Sequence, residues 1–159
     1  MRRTILTILT IPFVITLAGA SASHQEPGSV SAEATAGPYS VTLKVLPAES
    51  FGGSSAEMMW DGGAQAVKKN GSEQPNHHLV AFVKRDGKPV TDANVGIRYR
   101  RLESKGSSWS ELPVARMHVT DKGAETTHYG NNVDLAAGRY AVRIDVNGDS
   151  TTLNVSVAS

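Results

Sequence analysis

Alternation of apolar and polar residues with a period of two is the feature that most constrains the fold of this chain. Successive side chains of a strand point to opposite faces, so this pattern predicts strands with one buried and one solvated face. It recurs in four segments, at residues 39–45, 95–100, 140–146 and 153–157. Residues 78–83 are apolar on both faces and predict a central strand. No stretch after residue 22 shows a sustained helical period.

Turn sequences that contain glycine separate these predicted strands. They are Asp86-Gly87, Asp121-Lys122-Gly123, Ala137-Gly138 and Asn147-Gly148, the last of which is a strong hairpin signal. About seven to eight short strands with such turns between them predict an all-β fold, an immunoglobulin-like antiparallel β-sandwich. The glycine-rich residues 51–63 predict a long loop or a short edge strand.

The amino-terminal segment predicts export. Arg2 and Arg3 precede a short apolar run that ends at Leu17, and the small residues of Ala20-x-Ala22 follow it, as in a cleaved secretory signal. We therefore predict a signal peptide over residues 1–22. Residues 23–38 are rich in Ser, Ala, Glu, Gly and Pro and predict a flexible leader. Residues 39–159 form the predicted domain.

Composition excludes several classes of function. The 159 residues include no cysteine, which removes thiol nucleophiles, cysteine-type zinc sites and disulfides. With 16 Lys and Arg against 15 Asp and Glu, the chain lacks the basic excess that a nucleic-acid surface requires. Nucleophile-elbow, zinc-protease, P-loop and dinucleotide motifs are absent from the sequence, so we expect a protein that is not an enzyme.

Histidine and methionine remain as candidates for metal chemistry. His77-His78 opens the predicted central strand, Met117-His118 lies in another apolar run, and His128 follows. Because consecutive strand residues point to opposite faces, each doublet can offer one side chain to a shared site. Imidazole and thioether without thiolate favour copper, as Cu(I). In the alternative interpretation the methionines fill the core and the histidines have no metal role.

The order of these residues resembles that of the periplasmic high-affinity iron-transport proteins. The matching elements are Pro47-Ala48-Glu49, His78-Leu79-x-Ala81, Met117, Asp121-x-Gly123, His128-Tyr129-Gly130-x-Asn132 and Gly138-x-Tyr140. Members of that family are small immunoglobulin-like proteins that bind copper and iron beside an iron permease. The resemblance implies a periplasmic location, a bound copper ion with iron as a further candidate, and an inner-membrane iron permease as partner. A homodimer is a further candidate assembly.

The resemblance also implies a ligand set. His78, Met117 and His128 match metal ligands of the family, and the weaker candidates are His118 in place of Met117, His77, Met58 and Glu57. Val80 and Phe82 stand where the family has acidic residues, and no histidine follows His128. Two imidazoles and one thioether therefore favour Cu(I) over iron. Tyr129 and Asn131-Asn132 are candidates to orient an imidazole, although the two asparagines are equally typical of a turn.

Two classes of function follow. The first is a periplasmic metal-binding protein for copper or iron that assists metal uptake or homeostasis without catalysis. The alternative is an exported immunoglobulin-like module for protein interaction or assembly with no metal role. A copper-dependent redox protein acting on iron is a third. The first requires that His78, His128 and Met117 or His118 lie on one face of the sheet.

Overall fold

The computed structural model describes residues 29–49, 58–67, 75–103 and 106–158 of the chain. These residues form two antiparallel sheets and one short 3-10 helix, Gly123–Thr126. The strands are β1 (Val30–Ala36), β2 (Tyr39–Pro47), β3 (Met58–Gly63), β4 (His77–Arg85), β5 (Lys88–Pro89), β6 (Val95–Arg101), β7 (Ser110–Leu112), β8 (Ala115–Val119), β9 (His128–Val133), β10 (Gly138–Val146) and β11 (Asp149–Val157). The predicted all-β, immunoglobulin-like sandwich is confirmed.

The first sheet has seven strands in the order β1-β2-β4-β9-β8-β3, with β5 paired to β4. The second has four strands in the order β11-β10-β6-β7. The inward faces of the two sheets form one apolar core, which includes Val41, Leu43, Val45, Leu79, Ala81, Val83, Ile97, Val142, Ile144 and Val146. Strand β4 lies between β2 and β9, as its apolar sequence predicts.

The predicted number of seven to eight strands is wrong, since the described residues contain eleven. Strands β5 and β7 have only two and three residues, which is too short to show a periodic pattern. Residues 58–63 form an edge strand, one of the two states that the glycine-rich sequence predicts.

The flexible leader predicted over residues 23–38 is also wrong from Val30 onward. Residues Val30–Ala36 form β1, which pairs with β2 along its full length and also contacts β11. Alternate residues Val30, Ala32 and Ala34 pack against the core, and Ala36 belongs to it. Alanine contributes little apolar area, so the alternation is hidden in a sequence dominated by Ser, Ala and Glu. Residues 1–28, including the predicted signal peptide, lie outside the described residues.

The hairpin of β10 and β11 has the turn geometry that its sequence predicts. Asn147-Gly148 joins β10 to β11, where Val146 pairs with Asp149, and both turn residues have positive φ, 50° and 99°. This is the conformation that a two-residue hairpin turn needs, and glycine and asparagine adopt it most readily. In the described part of the chain, no helix has the length and apolar character to cross a bilayer.

Candidate metal centre

Three side chains predicted as metal ligands lie on the outward face of the first sheet, on three adjacent strands. His78 of β4 is paired with Asn132 of β9, and His128 lies four residues before Asn132 on the same strand. Because side chains alternate along a strand, His78 and His128 point to the same side of the sheet. Met117 of β8 is directly opposite His128 in the antiparallel register, so its side chain lies on that side as well.

This outward cluster is buried, although it is separate from the core of the sandwich. His78, Met117 and His128 are 0%, 0% and 1% exposed, and Val80 beside them is also fully buried. The core-facing residues of β4 are instead Leu79 and Ala81. Buried polar groups are rare unless their hydrogen bonds are satisfied or they serve a function. Two buried histidines outside the core are therefore the first feature that calls for a functional explanation.

Asn132 fixes the orientation and tautomer of His78. The side-chain amide of Asn132 donates from Nδ2 to the carbonyl oxygens of Glu49 and Val67, at 2.8 and 3.0 Å. Its Oδ1 is thereby established as the acceptor, and it accepts from the backbone N–H of Glu49. The Nδ1 of His78 lies 2.9 Å from this same Oδ1. Nδ1 must therefore carry the proton, which places the lone pair of the ring on Nε2.

The backbone carbonyl of Thr126 fixes the orientation and tautomer of His128. The Nδ1–H of His128 donates to the carbonyl oxygen of Thr126 at 2.9 Å, and a carbonyl oxygen can only accept. The lone pair of His128 is consequently on Nε2. That atom is buried and has no hydrogen-bond partner among the described residues. A metal-binding histidine characteristically has this arrangement, in which one ring nitrogen donates to an oxygen and the other is available to the metal.

The two imidazole rings are close enough to share one ion. Their centroids are 5.8 Å apart, and the rings are nearly perpendicular at 88°. An imidazole nitrogen binds a metal at about 2 Å and the ring centre lies about 1 Å beyond it, so rings bound to one ion have centres at most about 6 Å apart. The ring of Phe82 packs on His128 with centroids 5.3 Å apart and forms an apolar wall.

Burial keeps both imidazoles neutral. It lowers the pKa of His78 to about 4, an effect that His128 adds to and the hydrogen bond with Asn132 opposes. Burial also lowers the pKa of His128, against the raising effects of the Thr126 carbonyl and of Asp61, while nearby His118 lowers it further. Neutral imidazole is the form that binds metal ions, so neither ring has to lose a proton before it can act as a ligand.

Gly130 allows β9 to approach β4 beside the histidines. A Cβ at this position would overlap the carbonyl oxygen of Leu79 and the Cα of Val80. Gly130 is paired with Val80 and lies between His128 and Asn132. A glycine is therefore required here for its small size, and it brings the strand that carries one histidine close to the strand that carries the other.

The four weaker candidate ligands do not belong to the cluster of His78 and His128, or lie outside the described residues. His77 is on the opposite face of β4, and its Nδ1 lies 2.6 Å from Oδ1 of Asn76. His118 points away from Met117, with its Nδ1 2.7 Å from Oδ2 of Asp61. Met58 is partly exposed on edge strand β3. Glu57 lies outside the described residues.

Sequence reasoning found the two histidines and one of their supporting groups. Asn132 orients an imidazole as predicted, whereas Asn131 donates to the carbonyl oxygens of Gln65 and Pro113 and joins loops beside the site. Tyr129 does not contribute, because it faces the core and its hydroxyl donates to the Val90 carbonyl. The contact with Thr126 was missed, since a backbone carbonyl leaves no signal in the sequence.

Within the described ranges, no group of three His, Cys, Asp or Glu side chains comes together as a metal site. The cluster contributes two imidazoles, and its third soft donor would be the thioether of Met117. Comparisons of the chain with models of protein families, with curated proteins and with solved structures found no match. The resemblance to the iron-transport proteins therefore stays a prediction.

Proposed function

We propose that this chain is an exported, periplasmic metal-binding protein that holds copper as Cu(I) through His78, His128 and Met117. Its role is to assist iron or copper uptake or homeostasis, beside an inner-membrane iron permease and without catalysis. The observation that carries the proposal is the buried pair of neutral imidazoles, in which the Nε2 of His128 has no hydrogen-bond partner among the described residues.

The chemistry of the donors favours Cu(I). Two imidazoles and one thioether are soft or borderline ligands, and Cu(I) accepts low coordination numbers with such donors. Non-haem Fe(II) sites instead combine two histidines with a carboxylate. The positions next to His78 on its face of β4 are Val80 and Phe82, which are apolar. Iron is therefore the weaker candidate for this pair, and a role in iron transport would operate through copper.

Burial of the cluster would help the protein to retain a Cu(I) ion. The cluster is shielded from solvent, since both histidines and Met117 are almost completely inaccessible. A shielded site limits oxidation of Cu(I) and its exchange with small thiols. The hydrogen bonds that the rings donate to Asn132 and Thr126 hold the rings in place, and groups that accept such bonds typically contribute about 10-fold to 100-fold to metal affinity.

The alternative, a module for protein interaction, has one supporting observation. Met59 and Trp60 are 47% and 53% exposed on β3, which lies at the edge of the first sheet. Exposed edge strands can pair with another chain, and a homodimer would be the simplest product. This alternative predicts a partner that binds equally well with and without copper.

Competition for Cu(I) tests the proposal. Purified protein is titrated without oxygen against a chromophoric Cu(I) chelator, and His128→Gln and His78→Gln are compared with the wild type. We expect each substitution to lower the affinity of the tight site at least about 10-fold, because a ligand is lost. His77→Gln is the matched control, since it changes the adjacent histidine on the opposite face. Equal affinity in wild type and His128→Gln would contradict the proposal.

A further inference from the structure

The hairpin of β3 and β8 carries a second set of candidate donors on the side away from the buried pair. Met59 of β3 is paired with His118 of β8, one position along from the pairing of Trp60 with Met117. Paired residues of antiparallel strands point to the same face, with Cβ atoms about 4.5–5.5 Å apart. A thioether and an imidazole are therefore neighbours on this face.

Asp61 orients the imidazole of His118. Its Oδ2 lies 2.7 Å from Nδ1 of His118, and a carboxylate accepts this hydrogen bond. In the neutral ring the lone pair is then on Nε2, as in His78 and His128. Asp61 lies in a bulge of β3 between Trp60 and Gly62, and Arg116 donates to its backbone carbonyl at 2.7 Å. Met59 and Asp61 are two residues apart on β3, and the carboxylate of Asp61 reaches the ring of His118 on the face that Met59 shares.

The set differs from the buried pair in its access to solvent. The side chains of His118 and Asp61 are 25% and 29% exposed, and Met59 is 47% exposed. Met59 is thus a largely exposed thioether, a soft and polarizable group, beside a partly exposed imidazole. Histidine held by a carboxylate is also a common arrangement of metal ligands, in which the carboxylate increases the basicity of the ring.

We propose that Met59 and His118 form a second, solvent-accessible site for a soft monovalent metal ion, with Asp61 as the positioning residue. The thioether sulfur and Nε2 of His118 supply two donors, which suits Cu(I) in the low coordination numbers it accepts. The negative charge of Asp61 balances the charge of the ion. Divalent ions that prefer oxygen are a poorer match for this pair of donors.

The position of this site suggests its use. Met117 and His118 are consecutive residues, so one dipeptide of β8 contributes to both sites, on opposite faces. Asp61 and His118 lie close enough to His128 to affect its electrostatics. The exposed site and the buried ligands thus lie on opposite faces of the same strand. The exposed site would accept Cu(I) and pass it to the buried site. This role rests on the proposed function, whereas metal binding by the exposed site does not.

Variants that disable one site at a time test the inference. In purified His128→Gln protein, Cu(I) is titrated against the chelator without oxygen, and the methyl signal of Met59 and the ring signals of His118 are followed by NMR. We expect one accessible Cu(I) that shifts both sets of signals. Adding His118→Gln should abolish this binding, adding Met59→Leu should weaken it at least about 10-fold, and adding Asp61→Asn should weaken it by about 10-fold or more.

Met58→Leu in the same background is the matched control, because it removes the neighbouring sulfur from the other face and should leave the affinity unchanged. The inference is overturned if His128→Gln with His118→Gln binds Cu(I) as well as His128→Gln alone. It is also overturned if Asp61 and His118 contribute only to folding, so that the variants lose stability in urea and keep their Cu(I) affinity. Failure of the buried site has a different result: wild type and His128→Gln then bind alike, and both lose binding with His118→Gln.

Discussion

The buried imidazole of His78 should make the metal-free protein sensitive to mild acid. Its pKa is lowered from 6.5 to about 4 by burial first, then by His128. Between these two values the unfolded chain binds a proton at this residue and the folded chain does not, so the free energy of unfolding rises with pH. The stabilising contribution is fully present above pH 6.5 and is lost as the pH falls towards 4.

The size of the effect follows from the shift. One pKa unit corresponds to about 1.4 kcal/mol, so the whole shift is worth about 3 kcal/mol. About 2 kcal/mol of this is lost between pH 7 and pH 5, where few carboxylates titrate. Burial lowers the pKa of His128 as well, so this residue acts in the same direction.

Urea unfolding of the metal-free protein, followed by circular dichroism at pH 7, 6 and 5, measures this loss. We expect His78→Gln to have a lower free energy of unfolding at pH 7 and a clearly smaller decrease towards pH 5, because glutamine does not titrate. Met117→Leu is the control and should keep the wild-type slope, since it changes a buried neighbour of the histidines that does not titrate. The reasoning is refuted if His78→Gln and the wild type lose the same free energy between pH 7 and pH 5.

Four further results are expected. Cu(I) affinity should decrease only weakly between pH 7 and 5.5, because burial lowers the pKa of both imidazoles, and competition titrations at both pH values measure it. A steep decrease from pH 6.5 would mean that the ligands are solvated. Gly130→Ala should destabilise the protein by about 1–3 kcal/mol in urea, because the added methyl meets backbone atoms of β4, and wild-type stability would contradict the close approach of the strands. Asn132→Ala should cost about 3 kcal/mol or more, because it removes four hydrogen bonds made by the buried amide, and it should also weaken Cu(I) binding. Tyr129→Phe should cost about 1–2 kcal/mol in urea through its hydroxyl hydrogen bonds and leave Cu(I) affinity unchanged, so a drop in affinity would place this residue at the site.

The parts of the fold that were predictable are those in which pattern and packing agree. Segments 39–45 and 140–146 alternate because one face of each strand packs on the core, and Asn147-Gly148 has residues that its turn accepts easily. Strand β1 was missed because its buried positions are mostly alanine, whose contribution depends on the β2 and β11 strands around it. Packing against neighbouring strands stabilises such a strand, and its own sequence gives little indication that it will form.

The candidate site was predictable to a similar degree. Parity along a strand correctly limits each doublet to one side chain per face, but it does not say which member of Met117-His118 faces His128. The register of β8 against β9 decides this, and registers depend on long-range pairing. The contact between Asp61 and His118 could not be predicted either, because it depends on the register of β3 against β8.

The amide of Asn132 links parts of the chain that are far apart in sequence. It accepts a hydrogen bond from the backbone N–H of Glu49 and donates to the backbone carbonyls of Glu49 and Val67. It also orients the ring of His78. A disturbance at Glu49 or Val67 therefore reaches the imidazole through a single rigid planar group. The backbone positions of Glu49 and Val67 are therefore coupled to the orientation of His78, and the proposed Cu(I) site would inherit that coupling. A change in the backbone at either residue would then alter the affinity of the proposed site without contact with any ligand.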